Sequence, residues 1–142
     1  MLKRLDEIFK SEIFEPYFVA NPHMRKGWKS KIVPLGGDLT LNGLGMNKED
    51  AENLNKKIDV VINCAASVNF DDPILDALNI NYFGCLRLFE CIQNSESCHT
   101  FCHVSTAYVN SDKSGTIEEK LYELEGNADP EEIVANIMKL TP

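Results

Sequence analysis

No stretch of this 142-residue chain approaches the ~20 consecutive apolar residues that a membrane-spanning helix needs. Charges at Lys3, Arg4, Asp6 and Glu7 stand where a secretory leader requires an apolar run. Lys and Arg number 14 against 22 Asp and Glu, a net charge of −8. Phosphate-backbone recognition needs clustered cations, so this balance excludes a nucleic-acid partner. No Gly-x-Gly-x-x-Gly or Gly-x-x-Gly-x-x-Gly occurs, and Gly43-Leu44-Gly45 meets Lys48 where a third glycine would stand. The loop that cradles a dinucleotide pyrophosphate is therefore missing. No tyrosine is followed four residues later by lysine: Asn21, Leu86, Asp112 and Gly126 occupy those positions. These absences imply a segment without membrane contact, in a soluble and reducing compartment.

The five cysteines (Cys64, Cys85, Cys91, Cys98 and Cys102) suit that compartment as unpaired thiols. Cys98, Cys102 and His103 suggest zinc only superficially. Cys-x3-Cys is not a usual structural zinc spacing, and no second close pair completes a tetrahedron. On a strand, Cys102 and His103 also point to opposite faces. No metal is expected. The basic cluster of Arg25, Lys26, Lys29 and Lys31 around Trp28 is either a solvated loop or a contact to a phosphorylated ligand.

The apolar content, 44%, is ordinary for a globular protein. Leu2, Leu5, Ile8 and Phe9 recur at helical spacing and predict a helix over residues 2–14 that ends before Pro16. Residues 31–35 predict a short strand, with Pro34 at an edge or terminus, and residues 36–39 a turn. Asn47 is placed to cap a helix over residues 48–57. Ile58 to Cys64 is an apolar run with one polar member on each side of its centre, Asp59 and Asn63, a pattern suited to a strand covered on both faces. Asp72 and Pro73 predict the cap and first position of a long helix over 73–94. A strand over 100–105, a polar loop, and a last helix opened by Asp129 and Pro130 complete the chain. The alternation of strand and helix predicts an α/β fold with a parallel sheet and right-handed crossovers.

In such sheets chemistry gathers outside the carboxyl ends of the strands. Ser105 and Thr106 stand there and are candidates to polarise a substrate carbonyl. Cys64-Ala65-Ala66-Ser67 places small side chains at the other strand end, which suits close approach of a flat ligand or tight helix packing equally. Asp38, after two glycines, either accepts from an adenine amino group or ribose hydroxyl, or is a turn aspartate bonding its own backbone. Asn81 interrupts an apolar helix face. A buried amide must find partners, so Asn81 either stitches the helix to a neighbouring strand or serves an active-site network.

Several segments together resemble the fatty acyl-coenzyme A reductase family, the male-sterility-like branch of the extended short-chain dehydrogenases. They are Gly37-Asp38-Leu39, then Val61 to Asp71, then Asn81-Tyr82-Phe83-Gly84, and finally His103 to Asn110. Weaker similarity runs through Arg4 to Phe14 and Asp129 to Pro142. The resemblance implies a partial Rossmann-like parallel sheet with flanking helices, lacking the first βαβ unit. Residues 1–142 would form an incomplete NAD(P)-binding reductase domain, an internal slice of a larger enzyme. The implied activity is NADPH-dependent reduction of long-chain fatty acyl-CoA to fatty alcohol through an aldehyde, with the remainder of the reductase chain as partner. Asp38, Leu39, Ala65, Ala66 and Ser67 would contact the cofactor, Asn81 would support the active-site network, and Thr106, assisted or replaced by Ser105, would be the catalytic hydroxyl. The full enzyme would be cytoplasmic or on the cytosolic face of a peroxisomal or endoplasmic reticulum membrane.

Without the glycine loop and the Tyr-x-x-x-Lys pair, the isolated chain is expected to be inactive. In the family's strand order the strands resembling 31–35 and 58–64 are separated by two others, so the chain alone is expected either to fail to form the family sheet or to leave a gap in it. The competing readings are another extended short-chain dehydrogenase, such as a carrier-thioester reductase or a sugar-nucleotide epimerase, and a catalytically inactive truncated paralogue.

Overall fold

The computed structural model describes residues 2–140; Met1, Thr141 and Pro142 of the predicted domain lie outside the described residues. Two compact units divide the chain after Gly37.

In the first unit, aromatic side chains decide the local structure. Helix α1 (Leu2–Phe9) turns Leu5 and Phe9 away from full solvent exposure. The helix predicted over 2–14 breaks after Phe9. A 3-10 turn at Glu12–Phe14 leads into α2 (Glu15–Ala20), and Pro16 stands in the first turn of α2. Proline opens a helix here instead of ending one, because first-turn amides have no intrahelical acceptor to lose. Helix α3 (Met24–Gly27) and a 3-10 turn at Trp28–Ser30 follow. The breaks let Phe9 stack on Trp28 at 4.3 Å and meet Phe14 at 4.7 Å between ring centroids. Phe18 and Trp28 are buried, at 3% and 7% exposure.

Half of the basic cluster is committed within this unit. Arg25 donates two hydrogen bonds to the Glu15 carboxylate at 2.6 and 3.1 Å, and Lys29 pairs with Asp6 at 3.0 Å. The Arg25 hydrogen bonds hold the Glu15 carboxyl below its ordinary value. A depressed carboxyl contributes stability above its unfolded value and loses it as pH falls through the folded one. An NMR titration is expected to show a low Glu15 midpoint that rises in Arg25→Met; equal midpoints in the two proteins would contradict the pairing. Both groups are solvent-exposed, so the contribution to stability is small.

The strand predicted over 31–35 does not form. A strand is held by a ladder, and among the described residues the two strands present pair only with each other. Pro34 offers no donor and Val33 faces solvent, so nothing local compensates.

In the second unit, α4 (Lys48–Lys57) starts as its sequence predicts, with Asn47 Oδ1 accepting from the Asp50 amide at 2.9 Å. Strand β1 (Val60–Asn63) is shorter than the predicted 58–64. The predicted long helix is present as α5 (Ile74–Ala77), a π turn (Leu78–Tyr82) and α6 (Phe83–Ile92). Strand β2 (Thr100–His103) lies parallel to β1, with Val60 opposite Thr100 and Asn63 opposite His103. Helix α7 (Pro130–Lys139) begins at Asp129, whose Oδ1 accepts from the Glu131 amide at 2.9 Å. Parallel strands joined through a helix make this a partial Rossmann-like fold. Among the described residues no helix is long and apolar enough to cross a membrane.

Among the described residues only one face of the sheet is covered. Val61 and Asn63 are buried while Val60 and Ile62 are exposed, Ile62 at 67%. Phe89 of α6 packs edge-on against Phe101 at 5.6 Å, and Phe101 stands opposite Val61. The predicted two-sided cover is therefore absent, because successive strand residues face opposite ways and the crossover helix serves one side.

Candidate functional site

The carboxyl ends of the two strands are laced by a buried amide. Asn63, only 3% exposed, donates from Nδ2 to His103 Nδ1 at 3.1 Å and accepts the Ala65 amide at 3.4 Å. Cys85 Sγ lies 3.6 Å from the same imidazole nitrogen. With Nδ1 as acceptor, the neutral ring carries its proton on Nε2. Neither Asn63 nor His103 is among the site residues expected from the sequence, where His103 is weighed only as a metal ligand; the signal for both is a polar residue closing a strand.

The loop after β1 is shaped by a clamp. Asn81 Oδ1 accepts the Ser67 amide at 2.8 Å and Asn81 Nδ2 donates to the Ser67 carbonyl at 3.3 Å. Asn81 thus stitches its helix to the loop beyond the strand, not to the strand itself. It projects from the π turn, where Phe83 N–H reaches back five residues to Leu78 O. Such turns widen a helix locally and re-aim its side chains. Ser67 also donates from Oγ to Asp72, and Asn69 Nδ2 donates to Asp72 Oδ1 at 2.6 Å. Asp72 therefore closes the loop and does not cap the helix as predicted. Pro73 holds the cap position, with no side-chain cap. Ala65 and Ala66 sit exposed in the middle of this braced loop.

Asp38 accepts the Thr40 hydroxyl at 2.7 Å and the Thr40 amide at 2.8 Å, both on Oδ1. These bonds, the hydroxyl first, hold its carboxyl below the ordinary range. The turn role of Asp38 is thus in place, and Oδ2 accepts no hydrogen bond among the described residues. The neighbouring Leu39 rests directly on α6 at Gly84. A Cβ on Gly84 would come within 2.9 Å of Leu39 Cβ. Arg87, which sequence reasoning missed, donates from Nη1 to the Leu39 carbonyl at 2.7 Å. It also bonds the Asn79 carbonyl at 3.0 Å and Asn79 Oδ1 at 2.9 Å. The signal available was spacing: Asn81, Gly84 and Arg87 recur every three residues along one helix ridge.

Thr106 Oγ1 accepts the Tyr108 amide at 3.2 Å and caps the 3-10 turn Ala107–Asn110. Ser105 makes no side-chain hydrogen bond among the described residues, and both hydroxyl residues are exposed. Phe70 and Tyr108 meet edge to face at 6.0 Å, which ties the loop after β1 to the loop after β2. The structure brings Asp38, Leu39, Ser67 and Asn81 together around one helix. Ser105 and Thr106 join them only through that ring contact. Among the described residues no three His, Cys, Asp or Glu side chains gather as metal ligands.

Residues 1–140 match the family model described as male sterility protein, an NAD-binding domain. This chain belongs to the male sterility protein family. Membership assigns the braced strand ends to a nicotinamide-cofactor fold. The chain is similar to fatty acyl-CoA reductase 8 of Arabidopsis thaliana, 38% identical over 67% of the chain and 19% of that protein. It is similar to fatty acyl-CoA reductase 1 of Xenopus laevis, 32% identical over 84% of the chain and 22% of the relative. Fatty acyl-CoA reductase 1 of Mus musculus is 31% identical over the same shares. The chain thus spans less than a quarter of the length of each of these relatives.

Proposed function

We propose that this segment forms the cofactor-facing part of an NADPH-dependent reductase of long-chain fatty acyl-CoA. The observation that carries the reading is the two-bond clamp of Asn81 on Ser67. It presets the small-residue loop at a strand's carboxyl end, on the same helix that holds Asp38 and Leu39. The residues present fit the adenosine side of a dinucleotide: Asp38 keeps Oδ2 free of hydrogen bonds among the described residues, and Ala65 and Ala66 leave room for a flat ring.

The cofactor, when bound, supplies hydride. The thioester reacts as RCO–SCoA + NADPH + H+ → RCHO + CoASH + NADP+, and the aldehyde as RCHO + NADPH + H+ → RCH2OH + NADP+. In the first step the C–S bond breaks, and the sulfur leaves with the bonding pair and takes the proton to become CoASH. Thr106 polarises the carbonyl in both. Its Oγ1 already accepts the Tyr108 amide, which aims the hydroxyl and leaves its own proton to donate to the substrate oxygen. Ser105, beside it, offers a second donor. By itself the chain is inactive in this reading, since its 142 residues hold neither a glycine-rich phosphate loop nor a Tyr-x-x-x-Lys pair.

A segment exchange tests this. The matching residues of fatty acyl-CoA reductase 1 of Xenopus laevis are replaced by those of this chain, and NADPH-dependent alcohol formation from palmitoyl-CoA is followed. The chimera is expected to turn over, and Thr106→Ala within it to lose at least about 100-fold in kcat, the scale of a lost proton-donating group. A folded, NADPH-binding chimera without acyl-CoA turnover would overturn the proposal, as would an unaffected Thr106→Ala.

A further inference from the structure

The structure assigns Arg87 a positioning role: its guanidinium locks the Asp38–Leu39 segment to the helix that carries Asn81, and so presets the site for the adenosine half of the cofactor. The inference rests on the cofactor reading above and goes beyond it by naming the residue that joins its two halves.

Three donated bonds span two segments 48 positions apart in sequence. Nη1 serves the carbonyls of Leu39 and Asn79, and Nη2 serves Asn79 Oδ1. Both residues that accept these bonds are fixed, and so is the donor. Asn79 lies in the π turn, Leu39 is pressed on Gly84, and the guanidinium lies over the Phe83 ring, with Cζ 5.9 Å from its centroid. Arg87 forms no ion pair among the described residues, so its charge is spent on carbonyl oxygens, an arrangement that orients backbone. A planar fork can hold both segments at once, whereas lysine's single ammonium cannot reproduce it. The guanidinium also adds a minor attraction that lowers the Asp38 carboxyl, placing that residue within its field.

The test uses the full 142-residue chain and two probes followed by ligand-observed NMR titration: 2′,5′-ADP for the adenosine half of NADPH and reduced nicotinamide mononucleotide for the other. Arg87→Lys is expected to weaken 2′,5′-ADP by about tenfold, the loss of one charge-assisted hydrogen bond. The nicotinamide probe should stay within about twofold, because Ser105 and Thr106, where the carbonyl takes the hydride, lie outside the three bonds that Arg87 makes. A merely structural role would weaken both probes together. Unchanged or parallel affinities overturn the inference, and so does a wild-type chain that binds only the nicotinamide probe. A wild-type chain that binds neither probe overturns the cofactor reading itself and the inference with it. If Arg87→Lys does not fold, Asn79→Ala, which removes one acceptor and leaves the Leu39 bond, decides: the 2′,5′-ADP affinity must fall relative to the other probe.

Discussion

Trp28→Ala is expected to abolish hydrogen-exchange protection across residues 2–37. Trp28 is 7% exposed and stacks on Phe9 at 4.3 Å with an interplanar angle of 18°, in contact with the ring cluster that also includes Phe14 and Phe18. Truncating a buried tryptophan costs about 3–5 kcal/mol. Units below about 40 residues rarely hold that much in reserve without a disulfide or metal. All five cysteines lie at or after Cys64, so no disulfide supports residues 2–37. The ion pairs Glu15–Arg25 and Asp6–Lys29 are exposed and screened by solvent, so they add little. Exchange mass spectrometry of peptides from this region reads the result directly. Retained protection in the variant would show that the aromatic cluster is not what holds these residues.

The second large effect is expected at Gly84. A Cβ there meets Leu39 Cβ at 2.9 Å and the Leu39 carbonyl oxygen at 3.4 Å. Leu39 has little freedom to retreat, because Arg87 holds that same oxygen at 2.7 Å. Gly84→Val is therefore expected to destabilise residues 38–140 by about 3 kcal/mol, the upper part of the overpacking range, since a branched side chain adds bulk in two directions. Gly84→Ala gives a finer comparison. Helix propensity alone would make alanine about 1 kcal/mol better than glycine, so a net loss in urea denaturation measures the clash with Leu39. A net gain would mean that Leu39 moves freely and that the contact is loose.

Capping chemistry was the most legible part of the fold. Asn47 and Asp129 each stand before a helix and accept an amide of its first turn, because a short polar side chain there has no better local partner. Asp72 carries the same local signal and fails it. Ser67 and Asn69 compete for its carboxylate, and that competition is tertiary. Residues 31–35 have strand composition without a strand, since a ladder partner is not a property of five residues. The apolar run through Val60 and Ile62 is suited to burial on both faces, yet both side chains are exposed, because periodicity records only what a face is suited to contact.

For the site, residue types were legible and their partners were not. The sequence singles out Asn81 as a polar residue on an apolar stripe, but the clamp on Ser67 depends on the π turn, and no residue type announces a π turn. Arg87 looks like any surface cation in a helix. Its role becomes visible only when Leu39 is seen to lie on Gly84. Asp38 remains the turn aspartate that its neighbours favour, with its second oxygen free of hydrogen bonds among the described residues.

The π turn also fixes a length. Each residue of an α-helix advances the chain by about 100° around the axis, and the widened turn between Leu78 and Tyr82 takes up one extra residue without turning α6 away from Leu39. Deleting any one of these five would restore regular winding and remove the bulge that aims Asn81 at Ser67, while Gly84 and Arg87 keep their side. The polar loop between Asn110 and Asp129 has no such phase to keep. Through the helix, the count of residues is as much a part of the site as their identity.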